Sequence, residues 1–203
     1  MRGSRAWIVL LVCAIAGGCA APLVTEPARS ATEQLMLSTA ADLAVEKMDL
    51  AALAGRRVYV DSASFEGVDK AYAIASIASR INQAGGLLVT DVKEADVVAA
   101  IRAGALSIDR SSFLLGIPSL SVPSPFGASL QLPELAFLKR VKLAGISKFA
   151  LNAFERASGK HLLAAGPVSG RSYYNLWTIL GLTFHFSNVP EKTPARRWWS
   201  FGT

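Results

Sequence analysis

The stretch RRVYVDSAS, 56–64, sets Val58 and Val60 against Arg57 and Tyr59, the period of two that marks a strand with one buried face. Just beyond it the period changes. From 70 to 84, Ile74, Ile77, Ala78 and Ile81 recur at steps of three and four, which predicts a helix. Asp69 stands where it can cap that helix, and Gly85-Gly86 stand where they stop it. An earlier helix is expected over 31–48, with Met36, Ala40, Leu43 and Ala44 on one face. LLVT, 87–90, reads as a short strand. EADVVAAIRAGALSID, 94–109, reads as a longer one, whose nearly continuous apolar start suits a central place in a sheet. A long hairpin follows, with arms of roughly 138–154 and 161–169 around the turn ERASGK, where Gly159 supplies the left-handed position. SYYNLWTILGLTFHF, 172–186, is expected to add a strand or a short helix.

This order predicts an α+β domain: a mixed, largely antiparallel sheet with two helices on one face and a long C-terminal β-hairpin. One domain over 32–187 holds all of these elements, and 188–203 is expected to be a flexible basic-aromatic tail containing Trp198 and Trp199. The texture breaks once. From Ser111 to Pro133 no residue is charged, and Pro118, Pro123, Pro125 and Pro133 interrupt an otherwise apolar run. Proline removes ladder donors, so the expectation is an irregular, polyproline-like flap. Its apolar side chains are expected to be half covered by the domain, leaving Pro118, Leu120, Val122 and Phe126 as a contact surface that Trp198 and Trp199 join.

The first residues carry an address. Arg2 and Arg5 precede an uncharged apolar run, AWIVLLVCAIA, too short to span a bilayer comfortably, and AGGC, 16–19, follows. Small residues before a cysteine resemble the bacterial lipobox, although Ala16 stands where Leu is usual. The expectation is a lipoprotein signal peptide over 1–18, a covalent lipid on Cys19, and an acylated Pro/Ala/Thr tether over 19–31. Ala20 rather than Asp after the cysteine favours the outer membrane, facing the periplasm.

Composition narrows the chemistry. The whole chain carries a formal charge of +6, two units of which are the leader's Arg2 and Arg5, so no nucleic-acid partner is expected. Cys13 leaves with the leader, so no disulfide can form within the mature chain. Asp61, Glu66 and Asp69 lie between the first strand and the second helix, where a cation-binding site would find carboxylates. A solvated loop explains them as well. His161 and His185 have no nucleophile motif beside them, and no phosphate-loop spacing occurs. No catalytic residue, metal or cofactor beyond the lipid is expected.

The segments TEQLMLSTAADLAVEKMDLAALAGRRVYVD, FEGVDKAYAIASIASRINQAGGLLVTDVKEADVVAAIRAGALSID and GPVSGRSYYNLW together resemble a family of uncharacterised bacterial lipoproteins of unknown function, over about 32–190. At fold level only, the run of strand, helix and ADVV strand is similar to periplasmic domains of the curli secretion channel and other envelope assembly lipoproteins. The resemblance implies an envelope protein that works as a non-catalytic assembly or interaction module, with an envelope protein or a second copy as partner. The rival reading is a ligand- or cation-binding protein, or an enzyme, using Asp61, Glu66 and Asp69.

Overall fold

The computed structural model describes residues 29–67, 69–123 and 129–190. Cys19 and its leader, Phe126, Trp198, Trp199 and the side chain of Val122 lie outside the described residues. The elements run α1 (Ala31–Val45), β1 (Arg57–Asp61), α2 (Lys70–Gln83), β2 (Leu87–Val89), β3 (Val97–Ile117), β4 (Leu120–Pro123), β5 (Ser129–Leu132), β6 (Leu135–Glu155), β7 (His161–Ile179) and β8 (Leu182–Ser187). Six strands form one sheet in the order β2-β1-β3-β6-β7-β8, and β4 pairs with β5 separately. β1 lies parallel to β2 and to β3, and every later pairing is antiparallel. The class is α+β, with the expected mixed sheet and C-terminal hairpin.

The core forms where period-two and period-3.6 stripes meet. Val58, Val97, Ala99, Ile101, Phe149, Leu151 and Ala153 point from the sheet toward Leu37, Ala41 and Ala44 of α1 and Ala73, Ile77 and Ile81 of α2, all buried. Asp42 of α1 ties the helices together, accepting from Tyr72 Oη at 2.9 Å and Ser76 Oγ at 3.0 Å. The expected capping of α2 by Asp69 does not occur. Asp69 takes a left-handed backbone, φ 62°, and its side chain makes no cap hydrogen bond.

α1 sits on the sheet with almost no clearance, and a repeated G-x-S explains how. Gly145-Ile146-Ser147 on β6 and Gly170-Arg171-Ser172 on β7 pair so that each glycine faces the other strand's serine. Both glycines let α1 approach: a Cβ on Gly170 would overlap the Ala40 carbonyl oxygen, and one on Gly145 would stand 2.8 Å from that of Met36. The fully buried serines then donate into the helix, Ser147 Oγ to Ala40 O at 2.6 Å and Ser172 Oγ to Met36 O at 2.7 Å. Those two carbonyls lie one turn apart on α1 and use their second lone pairs.

The edge of the sheet near β1 is held by charge. Arg57 donates from Nη2 to Asp96 Oδ1 at 2.8 Å and from Nε and its backbone N–H to Asp96 Oδ2 at 3.2 and 3.1 Å. These bonds lower the Asp96 carboxyl from 3.8 to about 2 and raise the Arg57 guanidinium. A depressed carboxylate stabilises the fold above its unfolded pKa, and that contribution fades as pH falls through the folded value. Asp96→Asn should therefore flatten the fall in stability between the ordinary aspartate range and about pH 2. Urea midpoints of both proteins across that window check it. The pair is solvent-exposed, so the effect at neutral pH should be small.

The segment 111–133 is not the irregular flap its composition predicts. Residues 111–117 complete β3, and 120–123 and 129–132 form the β4–β5 ladder. The prolines punctuate rather than prevent: Pro118 and Pro133 lie in the gap between the ladders, and Pro123 is the last residue of β4. Register survives the gap, since Ile117 faces Leu135 and Leu120 faces Leu132. Self-burial is not seen either, because Phe113, Leu115 and Ile117 are all exposed.

Candidate functional site

Three places compete for the working site. The acidic group comes first. Asp61 ends β1, and its Oδ1 accepts from the Ala63 backbone N–H at 3.0 Å, closing a local turn. Glu66 and Asp69 are exposed on the loop that follows. Among the described residues, no three His, Cys, Asp or Glu side chains are grouped to hold a metal ion, so Asp61, Glu66 and Asp69 do not form such a set.

The second place is a largely apolar groove of about 590 Å³ between α1 and α2, lined by Leu35, Ser38, Asp69, Tyr72 and Leu106 among others. Tyr72, whose hydroxyl donates to the Asp42 carboxylate, lines it together with the polar Gln34 and Ser38. Partial burial, and then that hydrogen bond, raise the Tyr72 phenol, which keeps it a donor. Asp69 is the one member of the acidic group that reaches this groove.

The third place is the outer part of the sheet, and strand length creates it. β3 and β6 have 21 residues each and β7 has 19. At about 3.3 Å per residue the two longest reach roughly 70 Å. α1 has 15 residues, a length of only about 22 Å at 1.5 Å per residue. The helices therefore cover the proximal half, and the distal half projects beyond them.

Register sorts the distal side chains into two faces, since directly paired residues share a face and neighbours along a strand alternate. On the face away from the helices, Ile117 pairs with Leu135 at the far end. Next comes a row of Leu115, Leu138, Ile179 and Leu182, then one of Phe113, Arg140, Trp177 and Phe184. The following row holds Ser111, Lys142, Asn175 and Phe186. Phe113, Phe184, Leu182 and Phe186 expose 57%, 51%, 66% and 61% of their surface, too much for side chains placed to be core. Arg140 does not break this face, because its guanidinium stacks 4.7 Å over the Trp177 ring. The helix-side continuation is mixed instead, with Ser112, Lys139, Thr178, Thr183 and His185 among Leu114, Val141 and Leu176.

The exposed apolar surface extends beyond Pro118 and Leu120 to Phe113, Leu115 and Ile117. Pro118 and Leu120 are exposed as expected, beside the larger apolar face. Phe113, Leu115 and Ile117 carried a period-two signal that was readable, but their alignment with Trp177, Phe184 and Phe186 depends on register between distant strands. His185 stacks on Tyr174 at 5.6 Å and His161 starts β7, so the structure does not bring the two histidines into one site.

No helix among the described residues is long and apolar enough to cross a membrane. No curated protein and no solved structure matches the chain. A family model does, over residues 16–192, which takes in both helices, the six-stranded sheet and its exposed distal face: the chain belongs to the family of unknown function DUF6655.

Proposed function

We propose that this protein is a non-catalytic assembly or interaction module of the bacterial cell envelope, lipid-anchored through Cys19, that works through the distal face of its sheet. One observation carries the reading. A four-stranded surface rich in exposed Phe, Leu and Ile projects past the helices, and surfaces of this kind mark sites of contact rather than of chemistry. The lipobox-like AGGC at 16–19 supports the anchor, and the outer membrane is the favoured location because Ala20 follows the cysteine. An envelope protein or a second copy is the kind of partner such a module would hold.

Two experiments test this. Cys19→Ser should abolish metabolic labelling with fatty acid and release the protein from membranes or leave it with its leader. Unchanged fractionation and mature mass would reject the anchor. Crosslinking in the native envelope, read by mass spectrometry, should place contacts at Lys142 and neighbouring residues of that face. Crosslinks confined to the α1–α2 groove would instead favour the ligand-binding reading, which that groove and Asp69 support.

A further inference from the structure

The distal face has a gradient that says what covers it. Its far rows are aliphatic, through Leu115, Leu138, Ile179 and Leu182; the next row is aromatic, through Phe113, Trp177 and Phe184. Toward the body of the domain the same face turns cationic. Lys142 sits beside Asn175, Arg171 beside Ile146, and Lys148 beside Ser169, with Asp109 the acid among these rows. Aliphatic, then aromatic, then basic is the order of side chains met on passing from acyl chains through the interface to lipid phosphates. A protein partner has no reason to demand that sequence, whereas an anionic leaflet does.

We propose that the distal sheet lies against an anionic lipid surface by this face, with Phe113, Trp177 and Phe184 in the interface and Lys142 and Arg171 on the phosphates. The inference rests on the reading of the distal face as the working surface and names what it touches. Geometry selects a sheet resting on the membrane at a tilt, with its distal end deepest, over one standing through it. A strand needs about 9–11 residues to cross the hydrocarbon layer, and β8 has 6. Among the described residues, β3 is bonded on one side alone beyond Ala100, and β8 is the last strand of the sheet. A single copy inserted end-on would bring those open edges, along with Lys139, Thr178 and Thr183, into hydrocarbon. A shallow tilt sets the aliphatic rows deepest and the basic rows at the phosphates, keeps most of the open edges at the wet interface and turns the mixed face to water.

Depth-dependent quenching in vesicles tests this. In the full chain with Cys13→Ser and Cys19→Ser, a fluorophore is placed on Leu115→Cys or Phe184→Cys, and on Ser112→Cys or Thr183→Cys as opposite-face controls. The vesicles are phosphatidylcholine with or without phosphatidylglycerol, and the quencher is on the lipid acyl chain. Because the comparison is made within one molecule, it holds whether or not Cys19 is acylated in cells, so failure of the anchor and failure of this inference are separate results. The expected result is loss of fluorescence at Leu115 and Phe184 but not at Ser112 and Thr183. The loss should be greater with phosphatidylglycerol and reduced by salt or by Lys142→Gln/Arg171→Gln, with the melting temperature unchanged. Equal quenching of both faces, or none, overturns the proposal. Quenching accompanied by escape of an entrapped dye overturns it in favour of copies closing into a spanning barrel. Unquenched labels that transfer energy between differently labelled copies overturn it in favour of a protein–protein face.

Discussion

Ile101→Asp is expected to destabilise the protein by about 4 kcal/mol or more, because a carboxyl in that site is buried without a partner. Ile101 is 1% exposed, sits in the proximal part of β3 opposite Leu151, and belongs to the cluster shared by the sheet and both helices. The substitution removes an apolar side chain, whose full burial contributes about 1.5–3 kcal/mol, and adds the desolvation of a polar group. With native stabilities of only about 5–15 kcal/mol, the loss is a large share of the total. For a chain of this length a 4 kcal/mol loss lowers the melting temperature by roughly 8–16 °C. Ile101→Val, which keeps the chemistry and trims one methylene, should cost only about 0.5–1.5 kcal/mol. Paired denaturation curves of the two variants check both. Similar curves would mean that β3 is not the centre of the core.

Gly170→Ala is the second large effect, expected at about 3 kcal/mol because overpacking falls on backbone that cannot rotate away. The new Cβ would meet the Ala40 carbonyl oxygen and stand 2.6 Å from the Ala44 nitrogen, both part of α1. Relief requires lifting α1, which in turn stretches the bonds from Ser147 and Ser172 that hold it down. Gly104→Ala is the control. Its Cβ would meet only the Lys148 side chain at an ordinary 3.4 Å. That variant should stay within about 0.5 kcal/mol of wild type, so a general intolerance of these strands to alanine would show as equal losses.

Local chemistry explains which features could be read from the chain. The period-two run at Val58 and Val60 and the helical stripe of Ile74, Ile77 and Ile81 each bury the side their pattern names, and β3 takes a central place in the sheet beside β1. The turn before β7 forms with Gly159 at φ 70°. Both helices lie on one face because their small residues, Ala40, Ala41, Ala44 and Ala73, fit closely onto it. Residues 111–133 misled because four prolines in an uncharged run look like a breaker cluster. Where the described prolines fall, at a strand end and in the gap between two ladders, they cost little pairing. The seam of two G-x-S motifs and the apolar distal face were present as letters but not as patterns. Each depends on which residue of β6 faces which residue of β7, and that register is set by packing under α1.

Under the proposed function the proximal half of the sheet holds the fold and the distal face makes the contact. Leu115→Ser/Phe184→Ser tests it most directly, since both side chains are more than half exposed and far from the core cluster. Thermal melting and the yield of crosslinks from the distal strands to envelope protein or lipid are measured on the same variant. The expected result is a melting temperature within a few degrees of wild type, as for other surface changes, together with loss of the crosslinks at the distal strands. A melting temperature that falls as far as that of Ile101→Asp, with those crosslinks intact, would contradict it.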